Sequence, residues 1–243
     1  MTNYTGPDPH KIRSMFAAIS SRYDRTNTVL SGGVHHLWRK RAVRAANVQS
    51  GDSVLDCATG TGDLAIAFRK AVGANGRVVG TDFVPEMLDI ARTKASDVEF
   101  EVADVTRLPY ADATFDVSSI SFGIRNVNEP RKGIAELARV VKPGGRVIVL
   151  EFGQPRNRAF AALYNFYNRH VLPRVGGMLT GDRAAYKYLQ TSAGRFPSGD
   201  AFVQLMRESA QFSSIECIPL TFGIAWLYKA VKAGSTGNAG RVP

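Results

Sequence analysis

The chain has 243 residues, 44% hydrophobic and 21% charged, with 23 Gly and 11 Pro, which fits a globular chain and excludes a disordered polymer, a coiled coil or a collagen-like fibre. Its 31 Lys and Arg against 21 Asp and Glu give a net charge of +10. That charge is uneven: +6 over residues 1–50, −3 over 51–152, +5 over 153–212 and +2 over 213–243. An acidic centre between basic segments suits an anionic partner, and charge alone does not choose between nucleic acid and a membrane surface. Two cysteines, Cys57 and Cys217, give neither a disulfide framework nor a zinc spacing. The apolar runs fall short of the ~18 residues a membrane span needs, and the opening residues lack the apolar segment of a secretory leader. The expectation is a soluble cytoplasmic protein.

The first predicted element is an amphipathic helix, with Ile12, Met15, Phe16 and Ile19 at i, i+3, i+4 and i+7. Tyr23 and Asp24 follow it. From Asp52 to Phe152, short strands alternate with helices. Ser53–Asp56 is a strand ending on a carboxylate, followed by Gly60-Thr61-Gly62 and a helix through Leu64–Phe68. Arg77–Asp82 is the second strand, and Pro85 opens the next helix, where a missing N–H is harmless. Val98–Val102 and Phe115–Ser119 are the third and fourth strands. A helix from about Glu129 to Val141 is predicted to stop at Lys142-Pro143-Gly144-Gly145, and Arg146–Phe152 is the fifth strand.

Residues 153–212 are an insertion, read as two extra helices. It mixes Phe160, Leu163, Tyr164, Phe166, Tyr167, Val171, Leu172, Met178 and Leu179 with basic side chains. An antiparallel pair at about Ser213–Ile218 and Ala225–Lys229 closes the fold, and residues 233–243 read as a mobile tail. The predicted class is therefore α/β. The fold is a doubly wound, mostly parallel seven-stranded sheet, with an N-terminal helical lid over residues 1–50, a core over 51–152 and the insertion before the last two strands. It forms one domain over residues 1–232. Such sheets bind ligands at the carboxyl ends of their strands.

Two cofactors fit the glycine turn. Gly60, Gly62 and Ala65, with Asp82 twenty residues after Gly62, match the dinucleotide pattern G-x-G-x-x-G/A. A pyrophosphate, however, needs the positive helix N-terminus unopposed. Asp56 and Asp63 flank the turn, and with Asp82 and Asp104 they suit the sulfonium and ammonium of S-adenosylmethionine instead. Asp63 fits equally as a helix N-cap.

The segments Ser20–Asn27, Val54–Leu64, Ser121-Phe122-Gly123-Ile124-Arg125-Asn126-Val127 and Leu150-Glu151-Phe152 resemble the quinone-ring C-methyltransferases. These are class I S-adenosylmethionine-dependent enzymes of menaquinone and ubiquinone biosynthesis. The resemblance runs on through Tyr164–Pro173 and Tyr186–Leu189 to about Lys232. The glycine turn is shared by many methyltransferases; Ser-Phe-Gly-Ile-Arg-Asn-Val is more specific. The resemblance implies a donor site of Gly60, Thr61, Gly62, Asp82 on the ribose, Asp104 and Val105 beside adenine, and Ser121. It implies Arg125 and Asn126 at the reacting ring, with Tyr23 brought in by the lid.

A ring carbon becomes nucleophilic when the quinol hydroxyl ionises, which Arg125 would favour electrostatically. An ion pair beside the sheet is the other reading of Arg125, and helix packing that of Tyr23. His170 is a second candidate base, or a packed histidine. His35 and His36 lack metal-ligand spacing, and no metal is expected. The insertion reads as a packed cap whose inner edge meets a polyprenyl tail. The expected partners are a prenylated quinol, most directly demethylmenaquinol, and the anionic inner face of the cell membrane; nucleic acid is not expected. A homodimer stays open. Against a nucleic-acid methyltransferase stands the absence of an Asn/Asp-Pro-Pro-aromatic motif after the fourth strand.

Overall fold

A computed structural model describes residues 6–234 except 156 and 181. At residues 158, 159, 163, 165, 168, 179, 183 and 186 it describes the backbone alone. The tail expected over 233–243 thus falls, from residue 235 on, outside the described residues.

Strands β1 (Ser53–Cys57), β2 (Arg77–Asp82), β3 (Glu99–Val102), β4 (Phe115–Ser121), β5 (Val141–Phe152), β6 (Phe212–Leu220) and β7 (Ala225–Lys232) form one sheet. Their order is β3-β2-β1-β4-β5-β7-β6. The first five are parallel, and β7 runs antiparallel to both neighbours. The alternation of side chains across the pleat explains why helices cover both faces. Val54, Val78, Ile148 and Leu227 join one core, while Leu55, Val79, Val149 and Tyr228 join the other.

Among the described residues, ten α-helices accompany the sheet: α1 (Pro9–Ile19), α2 (Tyr23–Ser31), α3 (Val34–Ala46), α4 (Asp63–Val72), α5 (Pro85–Lys94), α6 (Pro130–Arg139), α7 (Arg158–Phe166), α8 (Leu172–Thr180), α9 (Arg183–Arg195) and α10 (Asp200–Ser209). Trp38 of α3, Phe68 of α4 and Leu88 of α5 pack on the first face. Leu137 of α6 and Phe202 of α10 pack on the second.

A third apolar cluster stands apart from the sheet: Ile19, Leu172 and Ala185, with Phe16, Tyr23, Leu30, Tyr167 and Leu189 against them. It joins the N-terminal helices to the insertion, and Tyr167 Oη donates to the Leu30 carbonyl at 2.7 Å. The lid and the insertion therefore form one roof. Polar contacts tie it to the core. Asp24 accepts from Thr61 Oγ1 at 2.5 Å and pairs with Lys94, while Trp38 Nε1 donates to Thr221 Oγ1 at 2.9 Å.

The structure corrects several boundaries. The helix before β5 ends at Arg139, and β5 begins at Val141 rather than Arg146. Lys142–Gly145 does not break the strand: the ladder to β4 jumps from Phe115↔Val141 to Val117↔Arg146, so the turn residues form a bulge. Among its described residues the insertion carries four α-helices rather than two, with α7 running into α8 through a π-helical turn at Tyr167–Val171. β6 starts at Phe212, one residue before the expected boundary.

Phe68 is fully buried between α4 and the sheet. Phe68→Ala is expected to cost about 3–5 kcal/mol of stability, read as a lower urea midpoint at unchanged slope.

Candidate active site

The carboxyl ends of β1, β2 and β4 open into a narrow cleft. Gly60, Asp82, Asp104, Val105, Ser121 and Asn126 line it, with Phe83, Val84 and Met87. After β1 the backbone must reverse into α4 within a few residues. Gly60 and Gly62 do so at φ +58° and +84°, where a side chain is strained. A Cβ on Gly60 would meet nothing, whereas one on Gly62 would meet Ala91 and Phe100 at 3.0 Å. Gly60 thus faces open space and Gly62 faces the core.

Asp82, the last residue of β2, is buried. One carboxylate oxygen accepts from Gly60 N–H at 2.8 Å and the other from Val84 N–H at 2.9 Å, which locks the turns after β1 and β2 together. Burial raises its pKa to about 6, outweighing those backbone hydrogen bonds. Asp104 accepts from Thr106 N–H and Oγ1 through one oxygen. Ser121 Oγ is buried in the cleft without a hydrogen-bond partner among the described residues, as a site built for a polar ligand would have it.

Thr61 and the two acids beside the turn have partners of their own. Thr61 is buried with its hydroxyl on Asp24, so it holds the roof. Asp63 does not cap α4 with its side chain; Gly62 takes that position. Its carboxylate pairs with Arg39 and Lys94 at 2.8 Å each, and these cations outweigh burial and lower its pKa. Asp56 is buried beneath the cleft, accepting from Ser119 at 2.6 Å and Thr59 at 2.7 Å. The charge argument from four acids therefore reduces to two. It survives in another form: the cleft has Asp82 and Asp104 in its wall and no Lys, Arg or His among the described residues.

A second, larger cavity of about 490 Å³ lies under the roof. Its wall is mostly apolar, with Met15, Ile19, Leu30, Phe152, Leu172 and Leu189, and it carries His35, Arg39 and Arg125 but no carboxylate among the described residues. Phe160, Tyr164 and Tyr167 of the insertion line it, whereas Phe166 and Met178 are exposed. The side chains of Leu163 and Leu179 lie outside those described. His170 is exposed beside Phe166 and is absent from the wall.

Cavity and cleft share Phe16, Tyr23 and Phe122. Phe122 adopts a left-handed backbone at φ +55°, strained for a non-glycine residue. Its carbonyl accepts from Arg125 Nη1 at 2.5 Å and Asn126 Nδ2 at 3.5 Å. Arg125 is 4% exposed and pairs with buried Glu151 at 2.8 Å, its guanidinium 5.2 Å from the Phe152 ring. The structure shows the ion pair beside the sheet, and the same residue lines the cavity. Asn126 lines the cleft and accepts from Tyr188 Oη at 3.0 Å. Burial raises the pKa of Tyr23, against the lowering effect of Arg125 and Arg39, so its phenol stays protonated at neutral pH. His35 also lines the cavity, a position that its lack of metal-ligand spacing did not reveal.

Residues 5–232 match the model of the ubiE/COQ5 methyltransferase family. The chain belongs to this family. It is 55% identical over 233 residues to the ubiquinone/menaquinone biosynthesis C-methyltransferase UbiE of Bdellovibrio bacteriovorus, covering 94% of this chain and 98% of that relative. It is 43% identical to the demethylmenaquinone methyltransferase of Deinococcus radiodurans, covering 89% of this chain and 90% of that one. Among solved structures, a Thermotoga maritima S-adenosylmethionine-dependent methyltransferase superposes with a TM-score of 0.62, at 18% identity, over 90% of this chain and 98% of the other, which speaks for the fold alone. The protein is an S-adenosylmethionine-dependent C-methyltransferase of quinone biosynthesis. The cleft fits a cationic donor: two acids and an unpartnered serine hydroxyl line it, with no basic side chain among the described residues.

With a carboxylate that titrates near 6 in the cleft, ligand affinity should depend on pH. Acid protonates Asp82 and removes acceptor capacity, so S-adenosylhomocysteine should bind about tenfold more weakly at pH 5 than at pH 7.5, since each pKa unit is worth about 1.4 kcal/mol. Calorimetry across that range checks it, and Asp82→Asn should flatten the profile.

Proposed function

We propose that this chain methylates a ring carbon of a prenylated hydroquinone, converting demethylmenaquinol to menaquinol. The observation that carries this reading is the meeting of two unlike spaces. An acidic cleft suited to a cationic donor opens against an apolar, cation-bearing cavity suited to an aromatic alcohol with a long hydrocarbon tail. A relative named for demethylmenaquinone favours that ring. The equivalent step on 2-polyprenyl-6-methoxy-1,4-benzoquinol is the second reading, favoured by the relative named for both quinones.

Gly60, Asp82, Asp104, Val105 and Ser121 would hold the donor, with Asp82 on the ribose hydroxyls and Asp104 near the adenine. When bound, S-adenosylmethionine supplies an electrophilic methyl group on a sulfonium. The protein's task is to make one ring carbon nucleophilic. A phenol titrates near about 10, so at neutral pH the quinol needs help to ionise. Arg125 in the cavity wall stabilises the phenolate, and Glu151 fixes the guanidinium so that it need not reorganise. Tyr23, at the junction, orients the ring as a neutral hydroxyl. Asn126, held by Tyr188, ties the insertion to the donor side. As the ring carbon takes the methyl, the S–CH3 bond breaks and S-adenosylhomocysteine leaves; the hydroxyl proton and then the proton on the methylated carbon pass to water, the ring regains aromaticity, and the phenolate oxygen is reprotonated from water.

The tail must come from a membrane, and no helix among the described residues is long and apolar enough to cross one. Exposed Leu37, Phe222, Phe166 and Met178 belong to the elements that wall the cavity, and Phe222 packs on Phe160 at 5.0 Å. These residues support peripheral docking, with basic side chains near anionic headgroups. The chain is expected to sediment with vesicles containing anionic lipid at low salt, and less as salt rises. Binding indifferent to lipid charge would remove the electrostatic contribution.

The reaction is tested with purified protein and reduced demethylmenaquinone, alongside quinone mass spectra from cells lacking the gene. Accumulated demethylmenaquinone, restored by the wild-type chain but not by Asp82→Ala, supports the reading; unchanged quinones overturn it. For Arg125 the useful variant is Arg125→Lys. Arg125→Ala would leave Glu151 buried without its cation, at a cost of about 3–5 kcal/mol, and would confuse stability with chemistry. The lysine keeps charge and loses the planar fork, so kcat should fall about tenfold or more with donor affinity unchanged.

A further inference from the structure

One side of the large cavity carries polar side chains at a spacing of four: Tyr23, Asn27 and Ser31 along α2, then His35 and Arg39 along α3. Left-handed Gly32 and Gly33 join the two helices and carry the row across the break. Three of the five are already engaged, Tyr23 with Asn27 and Arg39 with Asp63 at 2.8 Å. His35 is different. It is 6% exposed and lines the cavity, and Ser31 Oγ lies 2.6 Å from its Nδ1.

Ser31 Oγ and Nδ1 share this hydrogen bond, and its direction depends on the tautomer. With the Ser31 hydroxyl as donor, the ring's own proton sits on Nε2. The ring is also neutral. Burial is the main cause, and Arg39 one turn on and the His36 ring at 3.9 Å act in the same direction, against Asp63 and Asp24; its pKa falls to about 4. A neutral imidazole with its proton on Nε2 is a hydrogen-bond donor and a poor base.

We propose that His35, fixed by Ser31, donates its Nε2–H to a ring oxygen of the quinol, orienting the ring and stabilising negative charge on that oxygen. This rests on the reading that the cavity takes a dihydroxy aromatic ring. It gives such a ring a further polar contact in the wall that holds Arg125 and Tyr23, and accounts for a histidine buried there with no carboxylate in that wall among the described residues. No proton is transferred to His35 in this role.

The test compares His35→Phe, His35→Gln and Ser31→Ala with wild type, using reduced demethylmenaquinone and the corresponding benzoquinol, with S-adenosylhomocysteine binding as the control for folding. Losing one donor to a developing oxyanion costs roughly 10²-fold in kcat, and that loss is expected for His35→Phe, with analogue binding unchanged. His35→Gln, whose amide can place an N–H near the Nε2 position, should recover much of it. Ser31→Ala should lose about tenfold as the ring loses its orientation. Wild-type kcat and KM in His35→Phe would overturn the proposal. So would equal losses in the Phe and Gln variants with Ser31→Ala unchanged, since only packing would then matter. If His35→Phe loses analogue binding through misfolding, Ser31→Ala and His35→Gln decide on the same terms. A wild-type chain that methylates neither quinol would overturn the substrate reading, and this inference with it, whatever the variants do.

Discussion

The buried pair of Arg125 and Glu151 is the constraint on which the rest of the site depends. Two charges out of water are tolerated only with each other and with further hydrogen bonds. Here Glu151 also accepts from the backbone N–H groups of Arg125 and Phe152. That requirement pins the turn after β4 to the end of β5. It holds Phe122 in its strained backbone through the carbonyl that Arg125 also engages. Phe122 in turn forms the wall common to the cleft and the cavity. A buried cation in the cavity wall is therefore also the peg that fixes the partition between the cleft and the cavity.

The two spaces differ in charge for topological reasons. The cleft lies where β1 and β4 separate the two windings of the sheet, and strand ends supply its acids. The cavity lies above it and is roofed by segments from opposite ends of the chain, α1–α3 and α7–α9. Its cations come from the basic N-terminal segment and from the turn after β4. The uneven charge along the sequence thus reappears as an acidic cleft beside a basic cavity.

Much of the core was legible because strand periodicity and helix breakers are local. Arg77–Asp82 matches β2 residue for residue, and Pro85 opens α5 as its missing N–H allows. Where reading failed, the deciding partner was distant in sequence or the local signal had two outcomes. Lys142–Gly145 has a breaker composition, yet a sheet accommodates it as a bulge. Asp63 sits beside the glycine turn, but Arg39 and Lys94 claim its carboxylate. His35 was considered for metal spacing alone. The signal that would have found it is the period of four from Tyr23 to Arg39, whose interruption by Gly32 and Gly33 hides that one wall continues across two helices.

The strand order carries a consequence for biosynthesis. β7 lies between β5 and β6, so β6 bonds to no strand but the one made after it. While the chain emerges from a ribosome, the parallel half of the sheet can assemble and α10 can wait against it, but Phe212–Leu220 has no ladder to join. The edge of β5 also stays open until Ala225–Lys232 arrives. The last strand thus closes two exposed backbone edges at once, and nascent chains stalled just short of it would present both edges to chaperones and to one another.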